Sequence, residues 1–280
     1  MARILAMSSQ VVSGHVGLSA IQPALQALGH EVLALPTILL SNHPGRQTAS
    51  GTRIEPAVLE QMLDTLANNG RLRGIDHVLT GYLPSAAHVA VAIHALELCA
   101  HHGGKPHFIC DPVLGDDPKG LYIDVEAAVA IRDRLVPLAD VLTPNRFELA
   151  WLTSAPVDDR ERAITAARML ERPWVIATSI PMGTAQLATL GITSSEVHTQ
   201  LVARREGVPN GTGDLLAALV VAAVSDLGFT FAHALAQAVA QVDQVIANSA
   251  GNDELQLIAT LAQWRRTAPS AMDSGKIHAG

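Results

Sequence analysis

Six short apolar runs, at 3–7, 31–35, 75–79, 107–110, 139–142 and 173–177, are separated by longer stretches whose apolar residues recur every three or four positions. That alternation constrains the fold more than any other feature. Short apolar runs bounded by turn residues suit strands covered on both faces, and the segments 17–28, 55–69, 85–101, 124–134 and 158–171 carry helical periodicity. Strand, helix and strand in repetition build βαβ units with right-handed crossovers. The expected fold class is α/β, a three-layer αβα sandwich with a mostly parallel central sheet. Beyond the sixth strand, 184–190 and 196–203 read as an edge hairpin, and helices at 211–225, 230–248 and 252–265 complete one domain over 1–268. Residues 269–280 read as a flexible C-terminal tail.

Composition narrows the class of function. With 280 residues, 49% of them hydrophobic and 16% charged, the chain is long enough for one large core, and a second domain is not expected. A net charge of -7 without a long basic run argues against a nucleic-acid surface. Cys99 and Cys110 are the only cysteines, too few for a disulfide framework or a four-cysteine zinc site, which fits a reducing cytoplasm. The chain opens on an apolar run with no basic leader, and no uninterrupted apolar stretch of about 18 residues follows, so a soluble cytoplasmic protein off the membrane is expected. The 12 histidines lack metal-ligand spacing, and no Gly-x-x-x-x-Gly-Lys-Ser/Thr loop is present.

Chemistry concentrates where strands should end. Asn210-Gly-Thr-Gly-Asp214 opens a helix, and Gly211 and Gly213 allow close backbone approach while the free N–H groups of the first turn point at negative charge. Asp214 would repel a phosphate held there, so its presence suggests a base that takes a proton from an attacking alcohol. Asn-Gly turns and Asp near a helix start are also common for purely structural reasons. Three further clusters share the same rim: Ser8-Ser9-Gln10 after the first strand, Asp111 to Asp116 after the fourth, and Thr143-Pro-Asn-Arg-Phe-Glu148 after the fifth. The acids Asp111, Asp116 and Glu148, with Asn145, form an oxygen-rich setting for Mg²⁺ held partly through water and nucleotide phosphates. His43, in Ser41-Asn-His-Pro-Gly45 after the second strand, is the histidine placed to face a ligand.

In combination these motifs resemble the pyridoxal kinases of the ribokinase superfamily, over nearly the whole length from Ile4 to about Trp264. Ser9 to Gly17, Ser41-Asn-His43, Thr80-Gly-Tyr-Leu83, Asp111-Pro-Val-Leu-Gly-Asp116 with Gly120-Leu-Tyr122, Thr143 to Leu149 and Gly211-Thr-Gly-Asp214 occur in the family's order and spacing. The resemblance implies a ribokinase-like homodimer that passes the γ-phosphate of ATP to the 5′-hydroxyl of pyridoxal, making pyridoxal 5′-phosphate. It implies Asp214 as catalytic base, with the amides of Gly211, Thr212 and Gly213 as anion hole. Ser9, His43 and Tyr82 would meet the substrate. Asp111, Thr143, Asn145, Glu148, Thr178 and Ser179 would surround the nucleotide, Tyr122 would sit on a flap over it, and Asp111, Asp116 and Glu148 would lie about the Mg²⁺. A monovalent cation such as K⁺ is an open second requirement.

Two departures stand out. Pro44 occupies a position where many members have threonine, which removes a hydroxyl and an N–H from the substrate loop. Thr178 stands where some bacterial members have lysine, leaving Arg46 or Lys119 to supply positive charge to the phosphates. The alternatives are a hydroxymethylpyrimidine kinase of the same superfamily, sharing Asp214 and the anion hole, and a non-catalytic protein that holds a B6 vitamer.

Overall fold

A computed structural model describes residues 1–225 and 230–267, with the side chains of 265–267 left aside. Its nine-stranded sheet is a doubly wound parallel core extended at both edges by antiparallel strands. In chain order the elements begin β1 (Arg3–Val11), α1 (Leu18–Ala27), β2 (Glu31–Leu40), β3 (Gly51–Arg53), α2 (Pro56–Asn68), β4 (His77–Thr80), α3 (Ala86–Gly103) and β5 (His107–Cys110). A small hairpin follows, β6 (Gly115–Asp116) and β7 (Gly120–Leu121), then α4 (Val125–Ala130), β8 (Val141–Leu142), α5 (Arg146–Thr153) and α6 (Arg160–Met169). The chain continues through β9 (Trp174–Met182), β10 (Gln186–Ile192), β11 (Val197–Ala203), α7 (Thr212–Ser225), α8 (Phe231–Asn248) and α9 (Leu257–Thr267). The expected edge hairpin is β10 and β11, and the expected tail lies outside the described residues.

Strand order across the sheet is β11-β10-β9-β8-β5-β4-β1-β2-β3. From β1 the chain winds first to β2 on one side and then to β4 on the other, both parallel to it, so β1 and β4 flank the point where the winding reverses. Two apolar clusters cover the sheet. Helices α2 to α6 contribute Leu59, Leu63, Val89, Ala127, Leu149 and Ala163 to one face. Helices α1 and α7 to α9 contribute Ile21, Leu25, Leu215, Val221, Leu235 and Leu261 to the other. Helix α7 is buried from Leu215 through Ala223, which explains its uniform run of Ala, Leu and Val.

Three strands outrun the sequence expectation. β9, expected over 173–177, runs to Met182, so Thr178 and Ser179 lie inside it and not at its end. β1 was expected to end at Met7, yet Ser8, Ser9 and Gln10 lie inside it, and Ser8 is fully buried. β2 continues to Leu40 through Pro36, whose missing N–H coincides with a register shift between Ser8 and Ser9. The bulge turns Thr37 inward, where its hydroxyl donates to the carbonyl of Tyr82 at 2.7 Å. The short edge strand β3 and the β6–β7 hairpin were not expected, because strands of two or three residues leave no period to detect.

Candidate active site

The first turn of α7 sits over the reversal point between β1 and β4. Gly211 has φ +100°, and a Cβ there would lie 1.9 Å from the carbonyl oxygen of His15, so only glycine lets the turn close against the segment after β1. Gly213 differs, since a Cβ there would meet nothing within 4 Å and the space in front of it is open. Asp214 follows, its carboxylate accepting the backbone N–H of Gly17 and lying 3.8 Å from where a Cβ would stand on Gly81. Gly17 and Gly81 belong to the loops after β1 and β4, so the acid is clamped between the two strands that define the crevice. Burial pushes its pKa up to about 6, and the Gly17 amide holds it from rising further.

The vitamer-side residues of the resemblance gather beside it. Ser9, on β1, presses against Gly17, where a Cβ would come within 2.3 Å of the Ser9 hydroxyl. Ser8 Oγ accepts the amide of Tyr82 at 3.1 Å, and half-buried Tyr82 packs on the apolar cluster beneath, its pKa raised by burial. His43 lies in the loop after β2, where Nδ1 accepts the amide of Gly45 at 3.0 Å. Burial lowers its pKa, and the charges of Lys119 and Arg46 lower it further. Lys119, between β6 and β7, is therefore near the cleft, whereas Arg46 pairs with Asp253 at 3.0 Å and Glu254 at 3.4 Å. Of the two cations expected to serve a phosphate, Arg46 is already occupied.

The residues that the resemblance assigns to the nucleotide are held by contacts at the ends of β5 and β8 and in β9. Asp111 is buried after β5 and accepts the Thr143 hydroxyl at 2.7 Å. Burial and the nearby Asp214 carboxylate raise its pKa to about 7. Asn145 caps α5 in a reciprocal box: its side chain accepts the amide of Glu148 at 2.9 Å, and Glu148 Oε2 accepts the amide of Asn145 at 2.8 Å. Glu148 Oε1 accepts the amide of Leu114 at 3.0 Å, and Asn145 Nδ2 donates to the carbonyl of Gly115 at 2.9 Å, so this helix end anchors the β6–β7 flap. Burial and the charge of Asp111 hold Glu148 well above the usual carboxylate range, against the pull of those amides. Asp116 and Tyr122 are exposed on the flap, and the Tyr122 hydroxyl is pushed up to about 12 by burial and by Asp116 and Glu148. Thr178 completes the rim, its amide donating to the carbonyl of Pro144 at 2.9 Å, with exposed Ser179 next to it at φ 61°.

Glu148→Ala is expected to destabilise the fold by about 2 kcal/mol, since it strands two amides and removes half of the capping box. Urea denaturation would check this; no loss of stability would mean that water replaces the carboxylate at no cost.

Sequence reasoning missed the N–H of Gly17 as the partner of Asp214, and Ser8 as the prop of Tyr82. Gly17 was inside a recognised motif but carried no polar side chain to draw attention. Ser8 was visible only as one of two adjacent serines.

An acid at the N-terminus of a buried helix, open space before its glycine, a hairpin held by the start of α5 and further acids on adjoining strand ends define a phosphotransferase of the ribokinase superfamily. A family model described as phosphomethylpyrimidine kinase matches residues 14–257. A pyridoxine/pyridoxal/pyridoxamine kinase of Bordetella avium is 38% identical over 227 residues, covering 78% of this chain and 76% of the relative. A pyridoxal kinase of Leifsonia xyli is 33% identical over 268 residues, covering 91% and 93% respectively. Among solved structures, pyridoxal kinase from Entamoeba histolytica superposes with a TM-score of 0.88 at 27% identity, covering 96% of this chain and 97% of that one. Pyridoxal kinase from Leishmania donovani with ADP and pyridoxine gives 0.85 at 30% identity, covering 94% and 95%. The chain belongs to the phosphomethylpyrimidine kinase family and, within it, to the pyridoxal kinases.

Proposed function

We propose that this chain transfers the γ-phosphate of ATP to the 5′-hydroxyl of pyridoxal or a closely related B6 vitamer. The observation that carries the proposal is the clamp on Asp214, which fixes a carboxylate of pKa about 6 between the serine–tyrosine side of the cleft and the acid-lined side. A carboxylate with that pKa is ionised at neutral pH and remains basic enough to accept a proton from an alcohol as it attacks. The open space before Gly213 leaves room for the transferring group against the amides of Gly211, Thr212 and Gly213. Phosphoryl transfer relies on positioning and charge stabilisation, which is what this arrangement supplies.

Among the described residues, no lysine, arginine or histidine forms an ion pair with Asp111, Glu148 or Asp214, although the pKa of each is raised. Among the described residues no three acids, histidines or cysteines converge to hold a metal by themselves, so a cation would arrive with the nucleotide; Asp111 and Asp116 would hold Mg²⁺ together with the phosphates, with Glu148 acting through water. When bound, the ion would neutralise phosphate charge. Thr143, Asn145, Thr178, Ser179 and Tyr122 are assigned to the nucleotide, and Ser9, His43 and Tyr82 to the vitamer. A cytoplasmic homodimer belongs to the same proposal, supported by the family and by two free, buried cysteines. Among the described residues no helix is long and apolar enough to cross a membrane.

The family model's description favours one rival, a hydroxymethylpyrimidine kinase. A coupled assay comparing pyridoxal, pyridoxine, pyridoxamine and hydroxymethylpyrimidine as acceptors tests the substrate. Preference for a B6 vitamer is expected; preference for the pyrimidine overturns the assignment, and no turnover with any acceptor favours a binding protein. Tyr82→Ala should raise KM for pyridoxal about tenfold while leaving KM for ATP within about twofold, since the ring loses a packing surface. Equal changes for both substrates would make Tyr82 a structural residue.

A further inference from the structure

One charged side chain joins three separate stretches of the rim. Arg46 places Nη1 3.0 Å from Asp253 Oδ2, and its Nη2 donates to the backbone carbonyl of Asp253 at 2.9 Å and to Glu254 Oε1 at 3.4 Å. The same Glu254 oxygen accepts the hydroxyl of Ser13 at 3.3 Å, and the amide of Ser13 donates to the carbonyl of Ser41 at 2.9 Å. The His15 ring lines one cleft with Leu255, while the His15 carbonyl abuts Gly211. A narrow cleft lined by Ser13, His15, His43, Arg46, Asn210 and Glu254 marks where these segments meet. The loop carrying His43, the turn leading to Gly17 and the loop between α8 and α9 thus close on a guanidinium hub.

The stretches 12–16, 41–46 and 253–255 lie outside the strands and helices. Backbone bonds from Val12 to Leu40 and from Ser13 to Ser41 tie the first two at their bases, and beyond Ser13 and Ser41 the Arg46 network links them to 253–255. A forked, permanently charged group reaching a carbonyl and two carboxylates suits this task better than an ammonium, which has no planar fork. Two of the stretches are functional by position: one bears His43 and Pro44, and the other ends at the N–H that holds Asp214.

We propose that Arg46 is a positioning residue for the vitamer side of the cleft, its ion pairs with Asp253 and Glu254 setting the distance between the His43 loop and the Ser13–Gly17 turn. The inference rests on the reading of this cleft as a B6-vitamer kinase site. It also accounts for an arginine placed beside a substrate loop yet turned toward acids.

The test is steady-state kinetics of the full chain with Arg46→Ala, beside the neutral isosteric pair Asp253→Asn with Glu254→Gln. Arg46→Ala should raise KM for pyridoxal about fivefold, with KM for ATP and kcat changed less than about twofold, because a partly exposed ion-pair network acts here through loop placement. The Asp253→Asn, Glu254→Gln protein should show the same split, and adding Arg46→Ala to it should add little, since one interaction cannot be lost twice. Arg46→Lys should recover part of the loss. A KM for pyridoxal within about 1.5-fold of wild type, equal losses for both substrates, or fully additive effects would each overturn the proposal. Should wild type prefer a pyrimidine alcohol, the substrate assignment fails and the same split measured on that alcohol decides the latch. If wild type turns over no acceptor, hydrogen exchange decides it: faster exchange at 12–17 and 41–46 in Arg46→Ala supports the latch, and unchanged exchange there overturns it.

Discussion

Replacing Asp214 with asparagine is expected to lower kcat about a thousandfold, while ATP and pyridoxal bind within about twofold of wild type. Asparagine retains an oxygen for the Gly17 N–H, so the clamp between the loops after β1 and β4 stays closed. It loses the capacity to take a proton from the attacking hydroxyl. The pH dependence follows from the sign of the shift. Burial raises the carboxyl to about 6, the working form is the carboxylate, and wild-type turnover therefore falls as pH drops through about 6. The limb set by Asp214 should be missing from the residual activity of Asp214→Asn, which keeps only the limb of Asp111, a carboxyl also raised by burial. Stopped-flow binding with single-turnover measurements separates the effects, and a variant that keeps wild-type turnover removes Asp214 from the role of base.

Gly17→Ala should be the next most damaging change, although it deletes no functional side chain. At φ +55° and ψ −135° the backbone lies in a region open essentially to glycine alone, which costs an L-residue about 1–3 kcal/mol. Its Cβ would also fall 2.1 Å from the carbonyl oxygen of Ser9 and 2.3 Å from the Ser9 hydroxyl, so backbone must move. That movement would displace the N–H that holds Asp214 and the serine assigned to the vitamer ring. We expect a loss of about 3 kcal/mol in stability and at least about a hundredfold in kcat/KM, on the scale that a 1 Å misplacement costs. Measuring both in one preparation distinguishes the effects: lost stability with normal kcat/KM in the folded fraction would make Gly17 a folding residue alone.

Much of this site was legible because its residues fall at strand ends, and strand ends were marked by apolar runs that stop at Thr-Gly, Asp-Pro and Thr-Pro-Asn. Asp214 was legible for a different reason, a carboxylate set among helix-start glycines where negative charge is otherwise unwelcome. What escaped was backbone. The Gly17 amide, the Thr37 hydroxyl under Tyr82 and the Pro36 bulge that turns it inward depend on register between strands, which no local period encodes. The flap hairpin escaped because β6 and β7 are two residues each and are held by Glu148 and Asn145 from another loop. Arg46 was read as a cation available to phosphates; its acid partners lie over 200 residues away and become neighbours only through α8.

A crystal structure with pyridoxal and a nonhydrolysable ATP analogue gives the most direct measurement, the separation between the Asp214 carboxylate and the oxygen that receives the phosphate. We predict about 2.6–3.2 Å to the 5′-oxygen of the vitamer, with the terminal phosphate facing the amides of residues 211–213. A 5′-oxygen turned away from Asp214, or separated from it by more than about 5 Å in the closed complex, would contradict the assignment of this carboxylate as the base.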